Sequence, residues 1–389
     1  MSGGALTALS RLGAACLLLT ALGAADLERM QASFVFVGAG SGVVVSTDGL
    51  VLTNHHVYRE MTTLAVRTIT GRTIPAQVLG TDPVGDITLL RAAASDLVPA
   101  EFAASADLVA GAAVVAVGNP FGLGDLDDRP TVTFGVLGTA RVARGSYPDA
   151  VVSDAAVNPG NSGGPLFLAT GRLAGINGAI RARSGFRINS GIGLAISAPQ
   201  LARFLPHLET ARGGLVRRCA LPKGLVIEDA AEGPLVRADH GALRAGDRVL
   251  AVDDRPVAGA AAAAAYARAL PWAPGVMLPL RVARGALELD LELVAGRTPI
   301  PGRPMLGLAV SERGGRLEAS AVTEDGPAAR AGLRNGQVIV SVGQTEMRGR
   351  IDWLRAVAGL EPGDRIEVLV AEVDGEPRPV SWQLPASEP

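Results

Sequence analysis

What this chain has little of narrows its function before any motif is read. It has two cysteines, Cys16 and Cys219, and four histidines among 389 residues. Removal of an N-terminal leader would take Cys16 with it, so no intramolecular disulfide is expected and packing alone must hold the fold. With no clustered Cys, His or carboxylate spacing, neither a metal nor a cofactor is expected. No run of Lys or Arg could track a phosphate backbone, and the formal net charge is −2, so nucleic acid is not an expected partner. Aromatics make up only 4%, and the mean hydropathy of +0.29 reflects abundant Ala and Gly. After the N-terminus no apolar run reaches spanning length.

The N-terminus itself, "MSGGALTALSRLGAACLLLTALGAADLERM", has Arg11, an apolar run from Leu12 to Leu22, and small residues before Asp26. It reads as an export signal over residues 1–25, cleaved near Ala25; the alternative is an uncleaved membrane anchor. The residues before Cys16, "GAA", argue against lipidation there.

At this length two or three domains are expected. From Phe34 to Ile196 short β-rich runs alternate with turn signals such as Asp48-Gly49 and Gly71, the pattern of an all-β barrel or sandwich. "SAPQLARFLPHLETARGG" reads as a helix beginning near Pro199 and ending at Gly213-Gly214, where a domain boundary is placed. Beyond it "EGPLVRADHGALRAGDRVLAVDDRPV" is echoed by "DGPAARAGLRNGQVIVSVGQTEM", with Leu243 matching Leu333 and Gly246 matching Gly336. Two copies of one small domain therefore follow, separated by the proline-rich "GRTPIPGRP". In the first copy the alanine-rich segment Ala260 to Leu270 is the expected helix.

Three motifs carry chemistry. A nucleophilic serine needs a base, an acid to orient that base, and backbone N–H groups for the oxyanion. "LTNHHV" offers His55 and His56, "GTDPVGDITLL" offers Asp86, and "NPGNSGGPL" offers Ser162 in a glycine turn. "GNSGG" also satisfies the nucleophile elbow of α/β-hydrolases, but that motif demands a following helix and a downstream His. Here Pro165 and an alternating strand pattern follow, and both histidines of "NHH" lie upstream.

"TNHHV", "DITLL" and "NPGNSGGPL", together with "GNPFG" and "GIGLAI", resemble the HtrA (Deg) family of serine proteases, from about Phe34 to Leu384. The resemblance implies a mainly β fold: a chymotrypsin-like double β-barrel over residues 26–212, then two small α+β PDZ domains at 213–296 and 303–385. It implies His56 as general base, Asp86 as its orienting acid and Ser162 as nucleophile, with the N–H groups of Gly160 and Ser162 as oxyanion hole. His55 falls on the motif's variable position and is expected to face solvent or to support its neighbour, since adjacent residues of an extended segment point to opposite sides.

Six residues before Ser162, at the floor of the pocket in such folds, stands Ala156, and "SGIGLAI" should line the walls with Ile192 and Leu194. Small or medium apolar side chains are thus expected before the cut, since no acid is present to pair with Lys or Arg. In the second repeat Met305, Leu306, Gly307 and Leu308 resemble a PDZ carboxylate loop, and Trp353 is expected to help line the groove; the first repeat has no clear counterpart. The loop containing Arg141 and Arg144 resembles the family's activation sensor without deciding between them.

The function implied is an exported, periplasmic endoprotease that degrades unfolded or damaged proteins, with PDZ domains taking exposed C-termini. Assembly as a homotrimer or larger homo-oligomer is implied as well. The alternatives are a site-specific regulatory protease switched on by PDZ peptides, or a peptide-binding scaffold with an idle protease domain.

Overall fold

A computed structural model describes residues 23–385 except 60, 62, 145–146, 181–190, 217, 219–223, 229, 231–232, 258–272, 297–305, 314–315, 324–325, 358–359, 361–362 and 373–374. The chain divides into two compact units, Met1–Pro299 and Ile300–Pro389. Most of the expected leader lies outside the described residues. Helix α1 (Ala24–Ala32) spans the expected cleavage point and buries Met30.

Short, wholly buried apolar runs become strands because a barrel wall packed on both faces tolerates no polar alternation. β1 (Phe34–Val37), β2 (Gly40–Val44) and β3 (Leu50–Thr53) are wholly buried and mostly apolar, with Ser41 and Thr53 as their polar side chains. They are followed by β4 (Ala65–Thr68), β5 (Thr73–Asp82) and β6 (Ile87–Ala92). The order β5-β4-β1-β2-β3-β6, closed by pairing of β5 with β6, makes a six-stranded ring. Gly49 and Gly71 take positive φ at the β2–β3 and β4–β5 turns, as the turn signals anticipate.

The second barrel is built from β7 (Ala113–Gly118), β8 (Thr131–Arg144), β9 (Tyr147–Ser153), β10 (Pro165–Leu168), β11 (Leu173–Ile180) and β12 (Gly193–Ser197). It closes in the order β10-β11-β12-β9-β8-β7. One apolar cluster joins Phe34, Leu52 and Leu89 of the first barrel to Val117, Phe167 and Ile176 of the second. That shared core fixes the seam at which the candidate site lies.

The helix read from "APQLARFLPHLET" is α3 (Ala198–Thr210); Ser197 caps it by accepting from the Gln200 N–H at 3.3 Å. It buries Leu201, Phe204 and Leu208. The chain then forms β13 (Gly214–Leu215), which adds in parallel to the outer side of β5.

The repeat is plain in the topology. In the first unit β14 (Ile227–Glu228), β15 (Leu235–Val236), β16 (Arg248–Val252), β18 (Met277–Arg284) and β19 (Leu287–Val294) form a sheet in that order, with β17 (Arg255–Pro256) on β16. In the second unit β20 (Leu308–Arg313), β21 (Arg316–Val322), β22 (Val338–Val342), β24 (Arg365–Ala371) and β25 (Arg378–Gln383) repeat the order, with β23 (Thr345–Glu346) on β22. The second unit also carries helices α4 (Pro327–Arg330) and α5 (Arg350–Val357). Leu243 and Leu333 are both core residues, and Gly246 and Gly336 both turn with positive φ. The expected alanine-rich helix lies outside the described residues.

Candidate active site

His55 and His56 stand at the start of a short helix, α2 (His55–Arg59), not on the extended segment that the sequence reading assumed. A helical step of about 100° per residue still separates them. His55 is 8% exposed, which corrects the solvent-facing option, and its Nδ1 lies 2.7 Å from Thr81 Oγ1. Burial lowers its pKa below the ordinary histidine value. His56 is 47% exposed at its side chain. Its Nδ1 lies 2.9 Å from Asp86 Oδ2 and 3.0 Å from Oδ1, and its backbone N–H donates to Oδ1 at 3.0 Å.

Asp86 occupies the turn between β5 and β6 with φ of 60°, a left-handed conformation that Asp tolerates better than most residues. Asn54 donates to its carbonyl at 2.9 Å, and the Tyr147 hydroxyl donates to Oδ2 at 2.8 Å. Beneath the turn Asp82 accepts from Gly85 N–H at 3.0 Å and from Arg218 Nε at 2.8 Å. The Arg218 guanidinium also lies 4.6 Å over the Phe204 ring. Sequence reading missed Tyr147, Asp82 and Arg218. The signal for them is the unusual need to bury charge beside "DPVGD", which no local motif announces.

Ser162 comes from the other barrel, in a turn where Gly160 and Gly163 have φ of 103° and 83°. Its Oγ donates to the Gly178 carbonyl at 3.2 Å. A methyl at Gly160 would run into the Asn119 carbonyl, so only glycine fits. Ser41 clamps the turn: its hydroxyl donates to Gly160 O at 2.7 Å and its N–H to Ser162 O at 2.9 Å. The Pro159 carbonyl accepts from Phe121 N–H at 2.8 Å. A trans peptide holds N–H antiparallel to C=O, so this bond turns the Gly160 N–H the opposite way. Among the described residues, neither the Gly160 nor the Ser162 N–H donates to a protein acceptor. Two fixed amides beside a hydroxyl are suited to hold a developing oxyanion.

Of the expected pocket, Ile192, just before β12, is exposed and Leu194, within it, is half-buried. The Ala156 carbonyl accepts from Thr133 Oγ1 at 2.8 Å. Arg141 is buried and pairs with Asp149 and with Asp253 of the first repeat, both at 2.8 Å; Arg203 joins Asp253 as well. The side chain of Arg144 is outside the described residues. In the second repeat Met305 is also outside them. Leu306 and Leu308 pack partly buried on the core, and Gly307, with φ of 74°, accepts from Thr323 N–H at 2.9 Å. Trp353, expected at the groove, lies instead in the core at 4% exposure, because its large ring completes the small domain's apolar interior. Among the described residues no group of three or more His, Cys, Asp or Glu gathers as a metal site would require.

A histidine–carboxylate pair from one six-stranded β-barrel facing a serine turn from a second defines a chymotrypsin-like serine peptidase, here followed by two small repeats. The family model for the trypsin-like peptidase domain matches residues 40–176, that for the PDZ domain residues 318–372, and that for peptidase S46 residues 10–65. The periplasmic serine endoprotease DegP of Salmonella typhimurium is 32% identical over 84% of this chain and 73% of its own. A probable DegP-like periplasmic serine endoprotease of Pseudomonas fluorescens is 32% identical over 85% and 70%. The solved HtrA-type protease AlgW with tripeptide is 25% identical over 94% of this chain and 97% of its own, with a TM-score of 0.46. The chain belongs to the HtrA/DegP family of serine endoproteases.

Proposed function

We propose that Ser162 attacks the peptide carbonyl, that His56 takes its proton and returns it to the leaving amine, and that Asp86 holds the imidazole in place. With Nδ1 committed to Asp86, Nε2 is the nitrogen suited to proton transfer. The N–H groups of Gly160 and Ser162 stabilise the oxyanion. The observation that carries this reading is the His56–Asp86 bond of 2.9 Å on one barrel, set against a serine turn on the other whose amides are left for a ligand.

The substrates are unfolded or damaged polypeptides, cut after small or medium apolar residues that enter a pocket formed by Ala156, Ile192 and Leu194. Exposed C-termini add as a strand beside β20, which is the edge of its sheet, with the carboxylate held by the loop at Leu306, Gly307 and Leu308. The enzyme works in the periplasm as a homotrimer or larger homo-oligomer; the relatives' names support the compartment. No helix among the described residues is long and apolar enough to cross a membrane.

Labelling of the full chain with a fluorophosphonate, with and without a peptide ending in apolar residues, tests both parts. Labelling lost in Ser162→Ala is expected, and a peptide-dependent rate supports PDZ control. A chain that degrades unfolded casein with Ser162 replaced would overturn the mechanism.

A further inference from the structure

Asp86 is held from both barrels. Asn54, on the first, fixes its backbone carbonyl; Tyr147, the first residue of β9 on the second, donates to its carboxylate at 2.8 Å. Tyr147 is buried, and its ring lies so close to Gly178 that a methyl there would collide with the phenol oxygen. Gly178 is the residue whose carbonyl takes the Ser162 hydroxyl. One side chain therefore bonds the acid and packs on the serine's acceptor.

We infer that Tyr147 is a positioning residue for proteolysis: its hydroxyl fixes the Asp86 carboxylate, and through it the His56 ring, relative to the barrel that carries Ser162. The inference rests on the assignment of His56, Asp86 and Ser162 as base, acid and nucleophile. A carboxylate presents about four lone-pair sites, and His56 supplies donors from one side only. The Asp86 side chain is 14% exposed, so water has little access to the remainder. An ionised acceptor left short of donors in such a place rotates to find one, carrying the imidazole with it. The phenol removes that freedom. Burial, reinforced by the negative charge of Asp86, pushes the Tyr147 pKa far above its ordinary value, so the hydroxyl donates at every working pH. Donation also draws charge from Oδ2 and moderates the carboxylate's hold on an imidazolium.

The test is Tyr147→Phe in the full chain, which keeps the ring against Gly178 and deletes only the hydroxyl. The expected result is a kcat lower by about 10-fold with KM little changed, the loss of one oriented hydrogen bond at the reacting centre. The acid limb of kcat/KM should move up by several tenths of a pH unit, because a carboxylate with one donor fewer holds the imidazolium more tightly. Thermal unfolding reports the folded fraction. Wild-type kcat with an unmoved limb would overturn the inference, as would a loss of activity that follows the loss of folded enzyme with the limb unmoved. Activity persisting in Ser162→Ala or His56→Ala would instead overturn the underlying assignment.

Discussion

His55 and His56 are neighbours that serve different compartments: His55 Nδ1 meets Thr81 Oγ1 in the first barrel at 2.7 Å, and His56 Nδ1 meets Asp86 Oδ2 in the cleft at 2.9 Å. His56→Ala and Ser162→Ala should each lower casein hydrolysis by about 10³-fold or more, as for members of one catalytic unit. His55→Ala should lower it far less. Loss of fluorophosphonate labelling in His55→Ala but not His56→Ala would reverse the assignment.

The buried imidazole also makes a pH prediction. Burial depresses the His55 pKa in the folded chain, so between its folded and unfolded values the unfolded chain binds more protons. The stability it contributes is complete above the unfolded value of 6.5 and falls as pH drops through the folded value. His207, lowered by burial too, acts in the same direction. Urea unfolding from pH 7.5 to 5 should therefore show falling stability, with a shallower fall in His55→Asn. Equal slopes would remove His55 as a contributor.

The ion pair of Arg218 with Asp82 is buried on both sides. Arg218→Met should cost about 3–5 kcal/mol, the range for stranding a buried charge. Because Asp82 also accepts from Gly85, the variant should lose activity in urea before the barrels unfold. Coincident loss of activity and of amide-exchange protection in the barrel strands β5 and β6 would show the pair to be of global importance only.

The two repeats should bind peptides unequally. The edge strand of the first, β14, has two residues, whereas β20 of the second has six and follows Gly307. Peptides with apolar C-termini should bind residues 303–385 more tightly than residues 213–296, and amidation should weaken that binding. Calorimetry with free and amidated peptides checks both; indifference to amidation would exclude the carboxylate loop.

Much of this was legible in the sequence, for reasons that differ by element. The turn glycines and the helix read near Pro199 are local signals, the match of Leu243 to Leu333 is a repeat signal, and each is met in the structure. His56 and Asp86, 30 residues apart, could be paired because "TNHHV" and "DITLL" resemble a family pattern. Tyr147 and Arg218 act on the same turn from 61 and 136 residues away, where no periodicity points. Trp353 was misplaced because helical spacing gives the face a residue occupies but not which face a small domain closes over.

The parallel strand β13 has a mechanical meaning. Gly213 and Val216 donate to Leu79 and Thr81 at 2.7 and 2.8 Å, so the chain leaving the barrels runs alongside β5 and in its direction. Tension on the chain beyond Val216 along that axis loads these bonds in shear, so they must give together. Arg218, two residues nearer the pull, meets the load before those bonds do, and its ion pair delivers it to Asp82, at the foot of the turn that carries Asp86.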